Sequence, residues 1–306
     1  MKERLRRSAL LRVRLQAFTR QLHGVEKGDE RAIHRARVAS RRLRELVPVL
    51  QLDQRTARKL SRRLRKITRR LGAVREADVL LLLVDELHVS RPAYRDVLRR
   101  VRHIVARKRD EHHRLLRDAL PVDDMWATAR RLERVVDELR ERESPGLPER
   151  RAPERARSVE WAVDARIAHR AARLAAAVDA AGAVYLPERL HDVRVALKKL
   201  RYAIELRGGE TDKRAGLPTL KRAQALLGRM HDLQVLVDRV RGAQASLAPP
   251  NLTVWREMDA LIVALDEACR RIHARYVRER SALRAVTDNM QPSPGAATRR
   301  SERRAG

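Results

Sequence analysis

At 306 residues the chain has room for one large domain or two smaller ones, and its 43% hydrophobic content, with only 3% aromatics, calls for a core of Leu, Val and Ala. Its 70 Lys and Arg against 40 Asp and Glu give a formal net charge of +30, a surface that attracts polyanions and repels cationic partners. A single cysteine excludes an intrachain disulfide, and the longest apolar run, Val79 to Val84, is much too short to span a bilayer.

The N-terminus, MKERLRRSALLRVRLQAF, lacks the continuous apolar stretch of a signal peptide. With the lone cysteine this points to a reducing cytoplasm. Helical periodicity dominates and no stretch alternates as a strand. In the first half it predicts helices over about 30–50, 54–72, 73–88, 91–119 and 122–142. In the second half it predicts about 155–181, 187–206, 217–228, 229–246 and 252–286. Pro48 is expected to bend or end the first of these, since it lacks a backbone donor and its ring clashes with the preceding turn. ESPGLPERRAPERAR, from residue 143, carries three prolines and reads as a linker, placed at 143–154; 207–218 and 248–251 read as loops. The polar, basic tail 287–306 reads as disordered. Cys269 follows Ile262 and Leu265 on an apolar face and is expected to be a packed thiol.

An internal repeat organises the chain. IHRARVASRRLRELV, from Ile33, and LHDVRVALKKLRYAI, from Leu190, align with His34 on His191, Arg37 on Arg194 and Arg44 on Arg201, 157 residues apart. A second match lies downstream at an offset of 156 residues: LGAVREADVLLLLVDEL from Leu71 and LGRMHDLQVLVDRV from Leu227. There Gly72 pairs with Gly228 and Glu76 with Asp232. Two matches in the same order make each half one helical unit.

On a helical wheel with roughly 100° per residue, His34, Arg37, Arg41 and Arg44 form one stripe, flanked by Arg42. Ala36, Ala39, Leu43, Leu46, Val47 and Leu50 lie opposite. The second copy repeats the stripe with His191, Arg194, Lys198 and Arg201, flanked by Lys199, over an apolar face of Val193, Ala196, Leu200, Ala203 and Ile204. Neither stripe contains an acid, so each repels itself by a few tenths of a kcal/mol per pair one turn apart. A bound anion would remove that repulsion and add charge-assisted hydrogen bonds, and the planar guanidinium fork suits phosphate. The next helix adds Arg55, Lys59, Arg62, Arg63, Lys66, Arg69 and Arg70 opposite Leu60, Leu64, Ile67 and Leu71. Its counterpart offers Lys221 and Arg222, so the cationic surface leans toward the first half. Base composition can raise arginine content, but it does not arrange arginines into duplicated stripes.

HRARVASRRLREL and HDVRVALKKLRYAIEL resemble the signature helices of the CHAD family, the conserved histidine α-helical domains. LGAVREADVLL and LGRMHDLQVL resemble that family's following Leu-Gly…Asp helix, more loosely, because Arg75 and Ala77 stand where the second copy has His231 and Leu233. The resemblance covers about 5–286. It implies an all-α fold of two tandem pseudo-symmetric bundles of long helices, about 5–142 and 155–286, forming one domain over 1–286 with a basic central groove or pore. It further implies binding of inorganic polyphosphate, often with association with polyphosphate granules. His34, Arg37, Arg41, Arg42 and Arg44, and His191, Arg194, Lys198, Lys199 and Arg201, match its motif.

No Glu-x-Glu-x-Lys signature of the triphosphatase domain that often accompanies this family is present, which suggests a stand-alone member. The sequence carries no Walker loop, no His-Glu-x-x-His and no acidic cluster that suggests a metal-binding catalytic centre. Adjacent His112 and His113 point about 100° apart on a helix. The expectation is therefore a binder rather than an enzyme, with no metal, no cofactor and no membrane partner. The rival polyanion is nucleic acid, whose single strands call for stacking aromatics that are scarce in this chain. A regulatory partnership with a polyphosphate-metabolising enzyme is the third alternative.

Overall fold

The computed structural model describes residues 6–119, 122–143, 158–207, 216–247 and 251–290. The linker at 143–154 and the tail 287–306 lie almost wholly outside the described residues. Among the described residues the fold is all helical, with no strand and no helix long and apolar enough to cross a membrane. The long elements are α1 (Arg7–Thr19), α3 (Glu30–Leu46), α4 (Gln54–Ser90), α5 (Arg95–Ala119) and α6 (Val122–Arg142), with a short α2 (Leu22–Glu26). They continue with α7 (Val159–Ala181), α8 (Pro187–Ile204), α9 (Leu217–Ala245) and α10 (Leu252–Asp288).

Three features differ from expectation. The periodicity did not assign α1 and α2, yet Leu11, Leu15 and Phe18 make a buried stripe and Leu22 and Val25 extend it. The expected break at Gly72 is absent: α4 is one helix of 37 residues. Gly228 likewise sits inside α9, which is continuous over 29 residues. A solvent-side glycine within a helix costs only about 1 kcal/mol relative to Ala, less than the burial of Leu71, Val74, Leu227 and Met230 around these two positions supplies. Pro48 does end α3, in a single 3-10 turn over Val47–Val49.

The chain divides into two compact units. The first lies within Met1–Val159 together with His231–Cys269, the second within Glu160–Met230 together with Arg270–Gly306. In the first, α3 packs on α1, α2 and α4, α4 packs on α5, and α1 packs on α6. Asp29 caps α3, its Oδ1 accepting from the backbone amides of Arg31 at 2.7 Å and Ala32 at 3.2 Å. Gly28, at φ +75°, makes the left-handed turn that delivers Asp29. Asp53 caps α4 through the amide of Thr56 at 2.9 Å. Buried Asp78 pairs with half-buried Arg109, Nε to Oδ1 at 2.8 Å, tying α4 to α5, and the same guanidinium reaches Glu30 at the start of α3. In the second unit α8 buries Leu190, Val193, Leu197, Leu200, Ala203 and Ile204. Leu197 takes the core position expected of Ala196, which is only half-buried. Cys269 is a buried free thiol, as its neighbours suggest.

Candidate polyanion-binding cleft

The α3 wheel divides as the sequence indicates. Ala36, Ala39, Leu43 and Leu46 are buried, and Val47 and Leu50 continue the core just beyond the helix. His34, Arg37, Arg41, Arg42 and Arg44 stay on the exposed or half-exposed side. Two buried hydroxyls then set α3 against α4: Ser40 Oγ and Thr68 Oγ1 lie 3.0 Å apart. One donates to the other, and the remaining proton goes to a helix carbonyl, Leu64 O at 2.7 Å or Arg37 O at 2.9 Å. This pin sits directly beneath the cations.

Above it opens a cleft of about 500 Å³, lined by Arg37, Arg41 and Arg44 of α3, Arg65, Thr68 and Arg69 of α4, and Arg239 of α9. Gly72, Ala73, Glu76 and His112 complete the lining. A Cβ at Gly72 would lie 3.4 Å from Arg37 Nε and 3.9 Å from its Nη2, at van der Waals distance, so that guanidinium rests across the backbone of α4. His112 donates from Nδ1 to the carbonyl of Ala73 at 3.1 Å, which fixes the orientation of its ring at the cleft wall. Arg41, Arg65 and Arg69 have no carboxylate within ion-pairing distance among the described residues. Among the described residues the only acid on the lining is Glu76, 3.7 Å from Arg239.

His34 sits at the end of the stripe. Its pKa is pushed below the usual imidazole value, first by burial and then by the charges of Arg75, Arg37, Arg41 and Arg35. His191 in the second unit is lowered in the same way, by burial and then Arg194, with Lys198 adding to this and Asp192 opposing it. Both histidines are therefore neutral near pH 7; neither is on the cleft lining, His34 lying beside it on the stripe of Arg37 and Arg41.

The structure brings together Arg37, Arg41, Arg44 and Arg69 of the residues expected from sequence, and adds Arg65 and Arg239. The other α4 candidates, Lys59, Arg62, Arg63, Lys66 and Arg70, are not on this lining. Lys66 instead faces α6, 3.6 Å from Asp124. In the second unit the corresponding cations also interact with the protein, as Arg37, Arg42 and Arg44 do in the first. Arg201 donates from Nη1 to Gln224 Oε1 at 2.6 Å and lies 3.9 Å from Glu205. Arg222 pairs with Glu279 at 3.5 Å, and Lys221 is exposed on α9. Ala225 stands at the repeat position of Arg69. Arg194, Lys198 and Lys199 are half-buried, each with interactions of its own.

Comparison with known proteins bears on fold and family. The crystal structure of the CHAD domain from the plant Ricinus communis superposes with a TM-score of 0.65 at 20% identity, over 94% of this chain and 93% of that one. PptA from Streptomyces chartreusis superposes with a TM-score of 0.63 at 18% identity, over 93% and 97%. At these identities the likeness is one of fold. No curated protein sequence matches the chain. The sequence matches the CHAD domain family profile over residues 9–241, most of its length, and the chain belongs to the CHAD domain family.

Proposed function

We propose that this protein is a binding module for inorganic polyphosphate, and that the first-unit cleft carries most of its affinity. The observation behind this reading is the convergence of six arginines from three helices on one concave surface, three of them without carboxylate partners among the described residues. Guanidinium forks grip phosphate oxygens in pairs, and several of them in a row suit a chain of phosphates better than an isolated one. The described residues of the lining include no Phe, Tyr or Trp on which a nucleobase would stack. In this reading the protein holds condensed phosphate without transforming it, and its cellular place is the polyphosphate granule.

Competition binding tests the reading: polyphosphate against mixed-sequence RNA and DNA at equal phosphate concentration, near physiological salt. Polyphosphate should win, and joint replacement of Arg37, Arg41 and Arg44 by Gln should remove most of the binding. Preference for nucleic acid would refute the polyphosphate reading, and unchanged affinity in the triple variant would refute the site. A fluorescent fusion should collect on granules in cells that make them and disperse when polyphosphate synthesis is removed.

A further inference from the structure

One feature of the cleft runs against its apparent purpose. Glu76 places a carboxylate among six arginines, on the surface a polyanion would cover. It is not a buried structural acid: its side chain is 47% exposed, and its contact to Arg239 is loose, Nη2 to Oε1 at 3.7 Å. A half-exposed pair of that geometry contributes little to stability. The helix does contain a structural acid two residues on, Asp78, whose side chain is 1% exposed and held by Arg109. The repeat also keeps an acid, Asp232, at the position matching Glu76. A half-exposed carboxylate that does little for folding, set among arginines, calls for another role.

We propose that Glu76 is a built-in counter-anion that sets the affinity threshold of the cleft; this rests on the polyphosphate reading above. In the empty protein it partly neutralises Arg239 and lowers the repulsion within the arginine cluster. An incoming phosphate must take Arg239 from it and then lie beside a like charge. That cost is about the same for every anion. A single phosphate or pyrophosphate, making two or three contacts, cannot overcome it at cellular concentration. A long chain spreads it over contacts to Arg37, Arg41, Arg44, Arg65 and Arg69 at once and still binds. Glu76 thus excludes the abundant small phosphates while sparing the polymer.

The experiment is titration of the full chain with pyrophosphate and, separately, long-chain polyphosphate, comparing the unmodified protein, Glu76→Gln and Glu138→Gln. Glu138 is an exposed acid of α6 outside the cleft lining, so its variant loses the same net charge. Glu76→Gln should tighten both ligands by roughly five-fold at low salt, bringing pyrophosphate into measurable range, and the gain should shrink as salt rises. Glu138→Gln should tighten neither by as much as two-fold. Unchanged or weaker pyrophosphate binding in Glu76→Gln would overturn the proposal, by showing that the carboxylate positions Arg239 instead. An equal gain in Glu138→Gln would overturn it too, by reducing the effect to bulk charge. If the unmodified protein binds no long-chain polyphosphate, the functional reading itself fails and this proposal falls with it; if polyphosphate binds and Glu76→Gln gains nothing, only this proposal falls.

Discussion

A neutral imidazole beside several guanidiniums is a proton acceptor waiting for an anion. With the pKa of His34 lowered by burial and neighbouring arginines, phosphate bound across Arg37 and Arg41 reverses the local field and raises it. Polyphosphate affinity should therefore increase as pH falls from about 8 to about 6, with net proton uptake seen by calorimetry in buffers of different ionisation heat. His34→Gln should flatten that dependence. Without ligand the sign is opposite. A base whose folded pKa is depressed contributes stability that is present above its unfolded value of 6.5 and lost as pH falls through the folded one. Acid should thus weaken the empty fold while strengthening the complex. Gly72→Ala should raise stability by up to about 1 kcal/mol through helix propensity and leave polyphosphate affinity nearly unchanged, since the added methyl meets Arg37 at van der Waals distance; urea unfolding and ligand titration check the two. Gly228→Ala, with nothing within 4 Å of its Cβ, should be stabilising alone.

At the scale of elements, α3, α4 and α5 are held in register by polar pairs as well as by packing. Asp78 is buried with Arg109 as its partner, so Arg109→Gln leaves a carboxylate stranded and should cost about 3 kcal/mol in urea unfolding. Adding Asp78→Asn should recover part of the loss, because the stranded charge is then gone. Neither Asp78 nor the Ser40–Thr68 pin announces itself in sequence: isolated polar residues on an apolar face become legible only once the facing helix is known. The α3 stripe, by contrast, is legible, because period and spacing alone separate Ala36, Ala39 and Leu43 from Arg37, Arg41 and Arg44, whereas in α8 the same reading misplaces the core onto Ala196 instead of Leu197. The following helix was legible only in part. The first half of α4 carries cations on nearly every face, and its own wheel does not say which row meets α3, so the sequence does not separate Arg65 and Arg69, which reach the cleft, from Lys59, Lys66 and Arg70, which do not. Arg239 lies far away in sequence, and only packing brings it to Glu76.

For the whole molecule, the arrangement of charge should matter more than its sum. Replacing Arg41, Arg65 and Arg69 by Gln lowers the formal charge of +30 by three, and so does replacing the exposed Arg130, Arg134 and Arg256. The cleft triple should lose at least ~100-fold in polyphosphate affinity and flatten the slope of log K against log salt by roughly two, while the surface triple changes affinity by less than ~3-fold. Equal losses would return the explanation to net charge alone. The composition of the cleft has a chemical corollary. Each Arg or Lys position on its lining is filled by arginine, whereas the second unit carries Lys198, Lys199 and Lys221. A guanidinium holds its proton far into alkali and is inert to the acyl donors that neutralise amines. Exhaustive acetylation of the protein should leave polyphosphate bound. Phenylglyoxal, which condenses with guanidines, should abolish binding, and bound polyphosphate should shield the cleft from it.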